Sequence, residues 1–400
     1  MSWRRLPPVH SPLSAAAIGA GLGAALIPAR ARLARTEVEQ WLQATYAPAS
    51  WRWTDSGTSA LALALRLASE EGRRPVALPA YGCYDLATAC DAAQVRVFLY
   101  DVDPATLGPD WDSLERALEA GAGVVVAVHL YGVPVNLDRL MSLAARHGAL
   151  VVEDAAQGVG GSWRGRPLGG HGVLSVLSFG RGKGNTSGGG GALLAHDARL
   201  ADRLPRLPPG GAGLTAVAKT FAQYLLSRPA LYSIPASLPF LGLGETVYHP
   251  PRAATAMTLG GFGVLSRSAL ELEVAARHRE RLAAHYLERL HGSGWQPVGV
   301  PPGGVAGWLR FPILRPPSSA MRAWMTGFGI MPGYPRPLSD LPGFGTKVAR
   351  GTSVAGARLL SERLLTLPTH GQVNLGDAGH IVRKLRKENA VEGSERDHGH

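Results

Sequence analysis

Val151-Val152-Glu153-Asp154-Ala155-Ala156-Gln157 is the stretch on which the architecture turns. Two β-branched residues, two acids and then small residues describe a buried strand that ends in a carboxylate and opens into a loop. Open parallel sheets collect their ligands outside the carboxyl ends of the strands. Asp154 therefore stands where an α/β protein does its chemistry, although an aspartate at a strand end also serves as a plain helix N-cap.

Working outward, residues 54 to 196 alternate short apolar runs with helical stripes, the signature of βαβ units. Val76–Leu78, Val95–Tyr100, Val124–Leu130, Leu150–Glu153 and Leu174–Phe179 read as strands. Leu137, Leu140, Met141 and Ala144 form one helical face, and Gly148 stops that helix. An α/β fold with a mostly parallel sheet covered by helices is expected. Residues 205 to 262 are rich in proline and glycine. A long helix from Ser266 to His291 follows, then strands Trp308–Leu314 and Leu364–Leu367 and a final helix from Asp377 to Lys387. The expected organisation is an N-terminal segment 1–53 packing on the main body, a large domain 54–265, a small C-terminal α+β domain 266–387 and a disordered tail 388–400.

The chain has 400 residues, 46% hydrophobic and 18% charged, which describes a globular protein rather than a disordered one. Its net charge of +11 invites a nucleic-acid or membrane reading. Arginine is spread along the whole length, however, and the densest cluster, Arg383, Lys384, Arg386 and Lys387, closes the last helix, where cations suit the macrodipole. Neither partner is expected. Cys83 and Cys90 are the only cysteines, which fits a reducing, cytoplasmic setting. The histidines show no metal-ligand spacing, so no metal is expected. Arg4 and Arg5 precede an apolar run, Ala15 to Ile27, followed by Ala29-Arg30-Ala31, a pattern shared with secretory signals. Pro7, Pro8, Pro12 and the glycines of the run favour a segment packed on the main body, and no stretch reaches transmembrane length.

A second motif is Ser178-Phe179-Gly180-Arg181-Gly182-Lys183-Gly184-Asn185-Thr186-Ser187-Gly188. A lysine in a glycine-rich loop after an apolar strand has little packing value. Desolvation or a neighbouring cation such as Arg181 would make its amine a usable nucleophile for a Schiff base. A phosphate-binding P-loop fails, since Leu177 and Gly184 stand where glycine and Ser or Thr are required. The third motif, Asp55-Ser56-Gly57-Thr58-Ser59-Ala60-Leu61, opens a helix whose free amides would cradle a phosphate. A phosphate cradle, a strand-end acid able to hold a pyridinium nitrogen and a loop lysine together suit pyridoxal 5'-phosphate. Lys183 and Asp154 are the candidate catalytic residues.

These motifs resemble the DegT/DnrJ/EryC1/StrS family of sugar aminotransferases, of the fold-type-I pyridoxal-phosphate transferases. The likeness is carried by Ser56-Gly57-Thr58-Ser59-Ala60-Leu61, His129-Leu130-Tyr131-Gly132, Glu153-Asp154-Ala155-Ala156-Gln157, Ser178-Phe179 with Lys183, and Glu362-Arg363-Leu364-Leu365-Thr366-Leu367-Pro368. It implies that Lys183 forms the Schiff base and shuttles a proton, that Asp154 pairs with the pyridine nitrogen, and that Gln157 lies near the ring hydroxyl. Gly57, Thr58 and Ser178 would hold the phosphate. Some relatives carry histidine at the lysine position and dehydrate their substrates, so Lys183 favours transamination.

The chain departs from the family in three places. Cys83 occupies the position of the aromatic residue that stacks on the ring, with Tyr81 and Tyr84 beside it, and which of them covers the ring is open at this level. Ala254-Thr255-Ala256-Met257 replaces a segment whose asparagine reaches the partner subunit's phosphate, and Gly189 stands where relatives carry an acid. His129, Tyr131 and Arg336 are candidate substrate contacts, although a histidine at a strand end more often serves as a hydrogen-bonded structural residue and an arginine in the loop Pro335-Arg336-Pro337 as a solvated surface one. The expected reaction is ping-pong amino transfer from an amino-acid donor such as glutamate to a keto-sugar on a nucleotide, in polysaccharide or amino-sugar biosynthesis, by a homodimer. Dehydration or amination of a non-sugar ketone on the same fold, and a non-catalytic binding protein, are the alternatives.

Overall fold

The computed structural model describes residues 5–70, 72–236, 246–317, 319–345, 348–349 and 353–397; Arg4 and residues 398–400, named above, lie outside them. The chain opens with α1 (Ala15–Leu26) and α2 (Pro28–Tyr46), then β1 (Ser50–Thr54), α3 (Gly57–Ala68), β2 (Val76–Pro79), α4 (Asp85–Ala93) and β3 (Val97–Tyr100). Next come α5 (Trp111–Glu119), β4 (Val124–Val128), α6 (Leu137–Arg146), β5 (Leu150–Asp154), the short β6 (Ser162–Trp163) and β7 (Arg166–Pro167), β8 (Leu174–Ser178) and β9 (Gly191–Ala195). The central sheet has the order β1-β9-β8-β5-β4-β2-β3. Its pairs from β3 through β2, β4 and β5 to β8 are parallel, while β8–β9 and β9–β1 are antiparallel.

The helices start where the chemistry of capping requires. Asp110 accepts the Ser113 amide ahead of α5 at 2.8 Å, and Asn136 accepts the Arg139 amide ahead of α6 at 3.1 Å. Every residue of β4, Val124–Val128, is buried, as expected of a strand covered on both faces. The antiparallel edge was absent from the strands read off the sequence. β1 (Ser50-Trp51-Arg52-Trp53-Thr54) is too short and polar to announce itself, and its register with β9 is fixed by long-range pairing.

The small side of the molecule is a four-stranded antiparallel sheet of β10 (Gln296–Pro297), β12 (Phe311–Leu314), β14 (Leu364–Leu367) and β13 (Met331–Pro332). β11 (Gly304–Val305) instead joins the β6–β7 hairpin. One buried cluster runs from Leu61 and Val76 of the central sheet's layer through Phe311 and Leu365 of the small sheet.

Several expected boundaries shift. The helix expected from Ser266 is two helices, Leu259–Ser268 and Leu272–Leu290, separated by a 3-10 turn at Ala269–Glu271. The strand expected to reach Leu130 stops at Val128, because Leu130–Gly132 is a 3-10 turn with Tyr131 at φ 55°. The strand expected from Trp308 begins at Phe311, after Trp308 takes a left-handed φ of 46°. The last helix spans Leu375–Asp397, so the tail expected to be disordered is helical as far as it is described.

The glycine- and alanine-rich run near the N-terminus is α1, packed on helix Leu259–Ser268. A side chain on Gly21 would stand 2.6 Å from Val264 Cγ2, so the small residues permit the close approach. Ahead of α1 a strap crosses the small sheet. Leu6 N–H donates to Gly327 O at 3.0 Å, His370 Nε2 donates to Pro7 O at 2.8 Å, and Arg310 donates to Pro8 O. Among the described residues no helix is long and apolar enough to cross a membrane.

Candidate active site

The three motifs meet at one cavity. Gly57, Thr58 and Leu61 line it from α3, Asp154 from the end of β5, and Ala156 and Gln157 from the loop beyond. Ser178 closes β8, Lys183 enters from the β8–β9 loop, and Cys83, Asp85 and Leu86 come from the start of α4. Val128 and Leu130, at the end of β4, complete the lining. A larger cleft of 590 Å³, lined by Arg35, Trp51, Trp53 and Arg206 among others, contains none of the candidate residues and no nucleophile.

At the α3 end, Ser56 caps the helix through Ser59 N–H at 3.1 Å. The cap leaves the Gly57 and Thr58 end of the helix facing the cavity, with the positive end of the helix dipole behind it. The Ser178 side chain meets it from β8, buried and on the same wall.

Asp154 is 8% exposed, and Oδ1 accepts the Ala156 amide at 2.9 Å. Among the described residues no other donor binds this carboxylate. Burial raises its pKa above the ordinary carboxylate value, while the Ala156 bond and the Lys183 charge pull the other way. Lys183 makes no ion pair among the described residues. Its loop is secured from outside: Gly182 takes φ 78° and donates its N–H to Ser11 Oγ at 2.9 Å. An acid lacking a cation and a lysine lacking an anion thus share one cavity.

The remaining candidates divide. Gln157 lines the cavity but is tied at both ends, Oε1 accepting Tyr131 N–H at 2.6 Å and Nε2 donating to Tyr334 Oη at 2.8 Å. Cys83 faces the cavity, and neither Tyr81 nor Tyr84 does. Tyr81 is fully buried, its hydroxyl accepting the Tyr334 amide at 2.8 Å, and Tyr84 is buried at the cap of α4 beside the Arg336 guanidinium. Burial, reinforced by Asp85, pushes the Cys83 thiol up to about 12, which makes it a poor nucleophile.

The three substrate candidates lie outside the cavity lining. His129 is fully buried between Glu153, 2.9 Å from Nε2, and the Val135 amide, which donates to Nδ1 at 3.2 Å. Both ring nitrogens are occupied, so it is a structural residue. Glu153 also accepts the amides of Gly169 at 2.6 Å and His171 at 2.7 Å. Burial alone would raise its pKa, but His129 and these amides outweigh burial and bring it to about 2. Tyr131 is buried and stacked on Tyr334 at 5.8 Å, one layer behind Gln157. Arg336 is exposed. The sequence reading passed over Asp85 and Tyr334; an acid in a helix's first turn and a tyrosine in a proline-rich loop carry no local signal of a cavity.

Residues 36–228, which hold every residue lining this cavity, match the DegT/DnrJ/EryC1/StrS aminotransferase family. Over these residues the chain is similar to that family. It is 36% identical over 156 residues to L-glutamine:scyllo-inosose aminotransferase of Streptomyces griseus, an alignment spanning 39% of this chain and 37% of that relative. It is 24% identical over 337 residues to the pleiotropic regulatory protein of Geobacillus stearothermophilus, with 82% of each chain covered. The crystal structure of a DegT DnrJ EryC1 StrS aminotransferase from Brucella abortus superposes with a TM-score of 0.72 at 23% identity, covering 92% of this chain and 95% of that one, and shows a shared fold.

Proposed function

We propose that this chain is a member of that family and a pyridoxal-phosphate aminotransferase that moves an amino group from an amino-acid donor to a keto-sugar or a related cyclic polyhydroxy ketone. The observation that carries the reading is the shared cavity of Lys183 and Asp154, each without a charged partner in contact. The residues present fit the cofactor. A helix start with Ser178 suits a phosphate, a buried acid with one open oxygen suits a ring nitrogen, and a free amine suits an aldehyde.

Bound pyridoxal phosphate supplies an aldehyde that condenses with amines and a ring that accepts electron density. The chain does the rest. The Asp154 carboxylate would hold a proton-bearing ring nitrogen, and burial would strengthen that pairing by keeping water away. Gly57, Thr58 and Ser178 would hold the phosphate by amide and hydroxyl donors. Lys183, on a glycine-flanked loop, would take the proton from the donor's α-carbon and deliver it to the cofactor's former aldehyde carbon, and with the acceptor it would do the reverse. Gln157, locked by Tyr131 and Tyr334, holds one edge of the cavity still.

The Streptomyces griseus relative's name supports glutamine as the donor, where the sequence alone suggested glutamate, and a cyclic ketone as the acceptor. Amino-sugar or polysaccharide biosynthesis is the setting this chemistry serves. We also infer a homodimer: Leu22, Leu26 and Leu33 near the N-terminus and Leu214 and Phe221 on helix Leu214–Leu226 are exposed apolar side chains, and sedimentation will test it. Two free cysteines support a cytoplasmic location.

The deciding experiment is borohydride reduction of protein incubated with pyridoxal phosphate, followed by peptide mapping. A cofactor mass on the peptide containing Lys183 is the expected result. Label elsewhere, or none, overturns the proposal.

A further inference from the structure

Asp85 is the first residue of α4, and its side chain lines the cavity shared by Cys83, Asp154 and Lys183. A carboxylate in a helix's first turn usually caps or complements the helix, but capping does not account for this one. Tyr84 holds the cap position, and the side-chain bond that Asp85 makes is with the Cys83 thiol, which donates to Oδ2 at 3.4 Å. A thiol is a weak donor, so most of this carboxylate's capacity remains for whatever fills the cavity. Lys183 is the only cation among the residues that line it, and Asp85 and Asp154 are the only anions.

We propose that Asp85 is a second cavity carboxylate, a positioning residue whose negative charge favours the protonated state of the Lys183 nitrogen when that nitrogen is joined to pyridoxal phosphate. The proposal rests on the cofactor reading above. Asp154 is committed to the ring nitrogen in that reading, which leaves Asp85 as the anion that acts on the lysine nitrogen. The two carboxylates feel one another, since the Asp85 charge adds to burial in disfavouring ionisation of Asp154 while Lys183 opposes it. Among the described residues, the charged and titratable groups that line the cavity with Asp85 or feel its charge are Cys83 on its own turn, Asp154 from β5, Lys183 from the β8–β9 loop and Tyr334 from the small-sheet side. From α3 the cavity receives Gly57, Thr58 and Leu61, none of which carries a charge.

The test is a pH titration of the visible absorbance of the cofactor-loaded protein, which reports the proton on the lysine nitrogen without any turnover. Neutralising a nearby carboxylate removes a stabiliser of the protonated form, so Asp85→Asn is expected to lower the apparent pKa by about one unit. Asp85→Glu, which keeps the charge, is expected to return most of that shift, a rescue that a purely structural role would not produce. Superimposable curves for wild type and Asp85→Asn, or a shift that Asp85→Glu fails to reverse, overturn the inference and leave the cofactor reading standing. A wild-type protein that takes up no pyridoxal phosphate sinks both.

Discussion

Gly57 at the start of α3 and Ser178 at the end of β8 touch backbone to side chain: a methyl group on Gly57 would lie 2.6 Å from Ser178 Cβ and 2.8 Å from its Oγ. Neither partner can retreat without moving a helix away from a central strand. Gly57→Ala is therefore expected to pry apart the two walls assigned to the phosphate. Strain of this kind costs about 1–3 kcal/mol. Cofactor affinity should fall at least about tenfold, the equivalent of ~1.4 kcal/mol, as read by equilibrium dialysis, with a lower melting temperature. Unchanged affinity would remove the helix start from the phosphate site.

Asp154 carries a stability cost. Its folded pKa is raised, chiefly by burial, so the ionised carboxylate is disfavoured in the folded, cofactor-free protein. The penalty appears as pH climbs above the unfolded value of 3.8 and is complete once the raised value is passed. Asp154→Asn should consequently raise the melting temperature of the cofactor-free protein at neutral pH. The same change should slow amino transfer by about 10²–10³-fold, the scale for losing a buried electrostatic partner. A variant that is both less stable and fully active would contradict the assignment.

Glu153 behaves in the opposite sense. Its pKa is held at about 2 against an unfolded value of 4.5, so it contributes stability above the unfolded value that is lost as pH falls from 4.5 through about 2. Glu153→Gln should flatten the acid limb of a stability–pH curve in that window. It should also lower stability at neutral pH by several kcal/mol, because His129 and the loop amides lose a charged acceptor. Measured by urea unfolding from pH 2 to 7, an unchanged acid limb would exclude Glu153 as its source.

His129→Asn is expected to destabilise the protein by roughly 1–3 kcal/mol, because the new side chain cannot reach both Glu153 and the Val135 amide. The KM for acceptor should stay near the wild-type value. A large rise in KM with stability intact would restore this histidine to the substrate site.

Arg310 tests the strap. It is buried, pushed down to about 10 by burial, and donates to Pro8 O, to Gly329 O at 3.0 Å and to Thr366 O at 3.0 Å. Replacing it with alanine leaves those carbonyls without their donor, at a cost of about 3 kcal/mol. Limited proteolysis should then cut between residues 5 and 14 before it reaches the central sheet. Equal protease resistance in the variant would show that the strap is held by other means.

How much of this was legible beforehand follows from the range of the interactions. The end of β5, the Lys183 loop and the α3 cap are local patterns, and each fell where its residues indicated. Asp85 was not legible, because a first-turn acid looks the same whether it faces solvent or a cavity. The structural role of His129 was legible from its place at a strand end, but its partner was not: Glu153 sits in a strand of its own and carries no mark of the pairing. The break between Ser268 and Leu272 was hidden by a continuous apolar periodicity, although Leu270 within it is 71% exposed. The antiparallel edge of β1 and β9 is decided by which strands meet, and no single segment records that.

The N-terminal strap has a consequence for how the protein folds. Ser11 steadies the amide beside Lys183, and Pro7 is held by His370, a residue 363 positions later. Folding must therefore close a contact of very high sequence separation to seat Pro7, whereas the Ser11 contact to the lysine loop needs only the first half of the chain.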